Sequence, residues 1–151
     1  FIFTLPNADT DNQIISKMIK IYVKKNRTSA IWFTNMGQVK YLSTLKHVDA
    51  VLGNSSSGLI EAPSFKIATI NIGDRQKGRV QAESVINCKH TSGSIINSIN
   101  KIYTKSFQRK LKNVSNPYDR GNSALKSLKI IKKTDINNIL KKTFFNISHK
   151  Y

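Results

Sequence analysis

The feature that most limits what this chain can fold into is an alternation. Short apolar runs are followed by small polar loops and then by amphipathic stretches with helical spacing. Strands buried on both faces read as near-continuous apolar runs, and crossover helices show a single apolar stripe, so the pattern is that of βα units stacked around a parallel sheet. Residues 1–5 are expected to form the first strand, ended by Pro6. Asp9 or Asp11 then caps a helix with Ile14, Ile15, Met18, Ile19 and Tyr22 on its apolar face and Lys17, Lys20 and Lys24 on its wet face. Further strands are expected over 29–33, 50–52, 67–72 and 84–88, with a short helix around Leu42 and Leu45 between the second and third. Ser92 or Ser94 starts a helix carrying Ile95, Ile96, Ile99, Ile102 and Tyr103. The turn chemistry of Asn116-Pro117-Tyr118 precedes two last helices, one with Leu125, Leu128 and Ile131, the other with Ile136, Ile139 and Leu140. The expected class is α/β, a Rossmann-like parallel sheet flanked by helices, with residues 1–131 as the domain and 132–151 as a helical tail.

A parallel sheet of this kind binds ligands beyond the carboxyl ends of its strands, so function is to be sought in the loops that follow them. Those loops read Pro6-Asn7-Ala8-Asp9, Thr34-Asn35-Met36-Gly37, Gly53-Asn54-Ser55-Ser56-Ser57-Gly58 and Gly73-Asp74-Arg75. The serine loop is the strongest signal. Small residues let backbone N–H groups approach an anion, the hydroxyls add donors, and a helix starting there turns its positive end to the same spot. It lacks the GK[ST] ending of a Walker loop and the G-x-S-x-G frame of a nucleophile elbow. The same residues also suit a serine-rich cap and turn without a ligand. Glu61 follows in an otherwise apolar segment, where an unpaired carboxylate is costly; it can accept both hydroxyls of a ribose or serve the helix dipole. Arg75 can grip a phosphate bidentately, or pair with Asp74 or Glu83 at the surface.

Taken together, residues 53–65 and Ile70-Asn71-Ile72-Gly73-Asp74-Arg75-Gln76-Lys77-Gly78-Arg79 closely resemble the hydrolysing UDP-N-acetylglucosamine 2-epimerases that feed sialic-acid synthesis. Pro6-Asn7-Ala8-Asp9 and Asn116-Pro117-Tyr118 resemble that family at the right distances, so the likeness runs over about the first 130 residues. It implies the C-terminal half of a glycosyltransferase-B-type two-domain enzyme. In that frame Ser55 and Ser56 bind the UDP phosphates, Glu61 the ribose and Arg75 a phosphate, Asn7 lines the nucleotide site, and the segment around Met36 meets the uracil through backbone groups. The resemblance further implies loss of UDP by anti elimination after proton removal at C2, then addition of water to give N-acetylmannosamine. The family's acids for that chemistry lie in the N-terminal domain, so the chain is expected to be an inactive fragment alone and part of a homo-oligomer when complete. No metal or redox cofactor is implied, and His47, His90 and His149 take no catalytic role.

Composition sets the rivals. The formal charge is +17, and residues 105–151 hold 12 of the 25 Lys and Arg with only Asp119 and Asp135 against them. Such a balance invites a nucleic-acid reading. The lysines, however, sit at helical spacings such as Lys126, Lys129 and Lys133 without interleaved aromatics, so they read as solvated faces, with no specific nucleic acid expected. A glycosyltransferase that uses the same UDP crevice is the nearer rival, and a basic nucleic-acid module the more distant one. The opening Phe1-Ile2-Phe3-Thr4-Leu5 lacks the features of a signal peptide and reads as the middle of a longer chain. No apolar stretch reaches the length of a membrane span, and the single Cys88 fits a reducing cytoplasm.

Overall fold

The computed structural model describes residues 1–6, 12–137 and 139–141. Its contacts divide the chain into two units, Phe1–Tyr118 and the residues from Asp119 onward. Among the described residues, the first unit holds five parallel strands in two sheets. β1 (Ile2–Thr4) pairs with β2 (Ile31–Phe33), and β3 (Ala50–Gly53), β4 (Ala68–Ile72) and β5 (Val85–Cys88) form the other sheet in that order. Helices α1 (Asn12–Lys25), α2 (Gly37–Leu45), α3 (Ser57–Ile60), α4 (Ser92–Ile102) and α5 (Lys105–Lys112) lie between and after the strands. This is the α/β Rossmann-like arrangement that the alternation requires.

β4 is the axis of the core. Ala68 and Ile70 pack against Ile102, Phe107 and Leu111 of α4 and α5, with Ile72, Ile86, Cys88 and Ile99 at the margin. Thr69 serves the α3 side, where Leu59, Ala62 and Pro63 are buried. The approach there is close: a Cβ on Gly58 would lie 2.6 Å from Thr69 Cγ2, and the Thr69 hydroxyl donates to the Gly58 carbonyl at 2.6 Å. Glycine at 58 is therefore a packing requirement.

Several sequence expectations need correction. The helix after the serine loop is one turn long, because Pro63 removes a donor and disfavours helical backbone at Ala62; a 3-10 turn, Ala62–Phe65, follows. Glu61 is thus the C-cap between the two, not a residue inside a continuing helix. α4 starts at Ser92, one of the two expected positions, and its cap is the unforeseen Thr91, whose hydroxyl accepts from Ser94 N–H at 3.4 Å. Ile96 and Tyr103 are exposed, while Ser98 and Ile102 are buried. Helix α5 goes unforeseen, although Thr104 caps it and Phe107 and Leu111 are spaced one turn apart on its buried face. In the second unit, α6 (Ser123–Lys133) carries Leu125, Leu128 and Ile131 as expected, but Ile136, Ile139 and Leu140 lie in a turn. The proposed caps Asp9 and Asp11 fall outside the described residues. No helix among the described residues is long and apolar enough to cross a membrane.

Candidate functional site

Three of the four loops singled out by sequence lie within the described residues, each at the carboxyl end of its strand, and two side chains tie them together. Tyr41, one turn into α2 beyond Met36, hydrogen-bonds its hydroxyl to that of Ser57 at the start of α3. Gln76, in the loop after β4, donates from Nε2 to the Asn54 carbonyl at 2.7 Å. Gln76 is 3% exposed, so this bond is shielded from competing water. The loops after β2, β3 and β4 are thereby linked into one cluster. Sequence reasoning missed both residues, though each is a polar side chain within a turn of a loop already marked.

Within the cluster, Gly53 has φ +147, a backbone region that side chains rarely adopt, and it lets the chain leave β3 sharply. Ser55 accepts from Ser57 N–H at 3.3 Å and so braces the turn. Ser56 is half-buried at the helix start and its side chain makes no cap bond. Met36 is the N-cap residue of α2, and Gly37 N–H beside it is held by Asn35 Oδ1 at 2.7 Å. Arg75 is exposed and forms no ion pair with Asp74 or Glu83; the latter stands 4.0 Å from Lys110 instead. Asn7 lies outside the described residues.

Glu61 has the most telling environment. Its Oε2 is buried and has no hydrogen-bond partner among the described residues. An unmatched buried acceptor costs about 1 to 3 kcal/mol, more when charged; Asn71 Oδ1, Gln76 Oε1 and Ser84 Oγ are in the same condition, and Glu61 is the one carboxylate of the four. Tyr41 is close enough to feel it: burial raises the phenol above its ordinary value, the Ser57 bond works the other way, and the Glu61 charge adds to the rise. Behind Glu61 the backbone is pinned from a distance. Asn116 Nδ2 donates to the Ile60 carbonyl at 2.8 Å and to Ser64 Oγ at 2.7 Å. Tyr118, two residues on, donates its hydroxyl to the Val80 carbonyl at 2.9 Å. The Asn116-Pro117-Tyr118 turn is therefore a clamp on the segment that presents the carboxylate.

Loops that gather small residues, hydroxyl donors and an unmatched carboxylate, with the exposed Arg75 next to the linking Gln76, suit a ligand with a phosphate at one end and vicinal hydroxyls beyond it. Comparison with known proteins shows the family. Residues 1–132 match the family model described as UDP-N-acetylglucosamine 2-epimerase. The chain is 41% identical over 132 residues to polysialic acid biosynthesis protein P7 of Escherichia coli, covering 87% of this chain and 33% of that protein. It is 41% identical over 111 residues to the GDP/UDP-N,N'-diacetylbacillosamine 2-epimerase (hydrolyzing) of Campylobacter jejuni, covering 74% of this chain and 27% of that one. With the UDP-N-acetylglucosamine 2-epimerase of Neisseria meningitidis it shares 32% identity over 95 residues, 62% of this chain and 24% of that protein. The chain spans about a third or less of the length of these curated relatives. It belongs to the UDP-N-acetylglucosamine 2-epimerase family.

Proposed function

We propose that this chain is the UDP-binding part of a hydrolysing UDP-N-acetylglucosamine 2-epimerase that forms N-acetylmannosamine and UDP. The observation that carries the reading is the Glu61 carboxylate, buried at Oε2 after the serine loop without a partner among the described residues. Two ribose hydroxyls donating to it would satisfy the oxygen that the fold leaves unmatched. Ser55, Ser56 and Arg75 then face the diphosphate, Asn7 lines the site, and the backbone near Met36 meets the uracil.

The chemistry divides accordingly. A base removes the C2 proton, the C1–O bond breaks with UDP as leaving group, and water returns a hydroxyl to C1 and a proton to C2 with inversion. This chain's share is the leaving group. As negative charge grows on the β-phosphate, the Arg75 guanidinium and serine hydroxyls offset it, which lowers the barrier only in so far as the contact strengthens in the transition state. The acids that move protons belong to the remainder of a complete enzyme, and the 151 residues alone should not turn over substrate.

A second sugar is favoured by specific names. The Campylobacter relative and a Legionella pneumophila relative at 31% identity are named for diacetylbacillosamine. Side-by-side turnover of UDP-N-acetylglucosamine and UDP-N,N'-diacetylbacillosamine by the complete enzyme, with the product resolved by NMR, separates the two. Release of N-acetylmannosamine supports the reading. Turnover of the diacetylated sugar alone would replace the substrate, and transfer of sugar to an acceptor with C2 unchanged would replace the reaction.

A further inference from the structure

Gln76 is a buried amide with one half used. Its Nε2 donates to the Asn54 carbonyl at 2.7 Å, while its Oε1 is buried without a partner among the described residues. A neutral hydrogen bond contributes about 0.5 to 1.5 kcal/mol net and an unmatched buried acceptor costs about 1 to 3, so this amide adds little or nothing to stability. Nor does the loop after β4 depend on it to stay on the sheet. At the far end of that loop Gln81 and Asn87 exchange side-chain hydrogen bonds of 3.3 and 2.8 Å, and Tyr118 holds the Val80 carbonyl. What the Gln76 bond fixes is direction. Lys77 N–H donates to the Asp74 carbonyl at 2.8 Å, which makes 74–77 one turn with Arg75 and Gln76 as its two corner residues. Gln76 runs into the protein and Arg75 is exposed, so anchoring the inner corner sets the point from which the outer one departs. The other end of the bond is equally directional. The Asn54 carbonyl shares a trans peptide with the Ser55 N–H, and the two point opposite ways. A carbonyl turned to Gln76 therefore aims the Ser55 N–H away from it. The ladder between β3 and β4 ends at Gly53 and Asn71, so the sheet itself does not set the turn and this peptide relative to each other.

We propose that Gln76 is a positioning residue for the diphosphate: by tying the Arg75 turn to the Asn54–Ser55 peptide, it brings the guanidinium and the Ser55 N–H to bear on the same phosphate. The proposal rests on the reading of Ser55 and Arg75 as phosphate ligands. A bidentate arginine grip needs the guanidinium plane aligned with two phosphate oxygens, and that alignment is lost when the loop carrying the arginine can shift. Fixing the loop before the ligand arrives also lowers the ordering cost that binding must otherwise meet. Gln76 touches neither phosphate nor sugar in this scheme. It acts through Arg75 and Ser55, so its removal costs affinity for the diphosphate and leaves the nucleoside contacts in place.

A double-mutant cycle on the complete enzyme tests this, with UDP and uridine titrated calorimetrically into wild type, Gln76→Met, Arg75→Lys and the double variant. Methionine fills the same space without the bond or the orphaned oxygen, so Tm should move by no more than ~3 °C. UDP should bind Gln76→Met ~10-fold more weakly and uridine less than ~2-fold more weakly. In the Arg75→Lys background the same change should weaken UDP by less than ~3-fold, because the group it positions is already gone. Gln76→Asn, one methylene shorter, withdraws the amide from Asn54 while keeping it in place; it should show the same selective loss and covers a methionine variant that fails to fold. Equal weakening of UDP and uridine, or losses that simply add in the double variant, overturn the proposal and leave Gln76 as a support of the fold. If Arg75→Lys itself fails to separate UDP from uridine, the phosphate reading falls and the proposal falls with it.

Discussion

The β4 side of the molecule and the β1–β2–α1 side are built from the same kind of βα unit, yet their apolar residues meet opposite fates. Around β4, Ala68, Ile70, Leu59 and Ala62 are all but inaccessible, whereas Ile14, Ile15 and Met18 of α1 remain about half or more exposed. Composition does not explain this, since both regions are rich in Ile. The difference is that β4 has a strand on each side and helical cover on both faces, and β1, among the described residues, has a strand on one side only. An apolar stripe fixes what an element is; its neighbours decide whether that stripe is worth anything to stability. The site follows the same division, because the serine loop, Glu61 and Gln76 all hang from the buried side.

The largest test of the asymmetry is a pair of truncations. Ile70→Ala or Leu59→Ala should destabilise by about 2 to 5 kcal/mol, the range for fully buried large-to-small changes, whereas Met18→Ala should stay within about 0.5. Denaturant melts of the three variants would expose a failure as equal midpoints. Next in size is Gly58→Ala. Its new methyl meets Thr69 Cγ2 at 2.6 Å, and overpacking of this kind costs about 1 to 3 kcal/mol. Thr69→Ser removes the methyl in the way and should recover part of the loss in the double variant.

Smaller effects probe the clamp. Asn116→Ala removes two hydrogen bonds to the Glu61 segment and should lower stability by about 1 to 2 kcal/mol, with a greater loss of UDP affinity than of Tm. Tyr41→Phe should cost about 0.5 to 1.5 kcal/mol by breaking the bond to Ser57. It carries a pH signature too. Because burial and then the Glu61 charge raise the phenol in the folded state, its contribution is complete below pH 10.0 and is lost as pH rises through the folded value. The wild type should therefore lose stability on the alkaline side more steeply than Tyr41→Phe, and parallel profiles would place Tyr41 outside the buried cluster.

Much of this was legible in sequence, for identifiable reasons. The apolar runs over 50–52, 67–72 and 84–88 are too short for helices and are bounded by Gly and polar residues, so β3, β4 and β5 stand where periodicity places them. The one-turn length of α3 is signalled too, by Pro63 three residues past its end. α5 hid in a run of lysines, since Lys105, Arg109, Lys110 and Lys112 mask the two residues that anchor it. Tyr41 and Gln76 could be seen as polar residues near the loops, but their partners are the hydroxyl of Ser57 and the carbonyl of Asn54, distant in sequence. Nothing local encodes such a pairing. The resemblance at residues 53–65 marked Glu61, but only the packing shows that one of its oxygens is buried and unmatched.

The most direct measurement is a calorimetric cycle on the complete enzyme, wild type and Glu61→Gln, titrated with UDP and 2′-deoxy-UDP, with uridine and Arg75→Lys as the phosphate control. Glutamine keeps the shape but removes the charge and turns one acceptor into a donor. UDP affinity should then fall by about 1.5 to 3 kcal/mol, the scale of charge-assisted hydrogen bonds. The wild type should bind 2′-deoxy-UDP more weakly than UDP and Glu61→Gln should bind the two about equally, while Arg75→Lys weakens UDP far more than uridine. Equal losses for every ligand in both variants would contradict the assignment and leave Glu61 and Arg75 as residues that only support the fold.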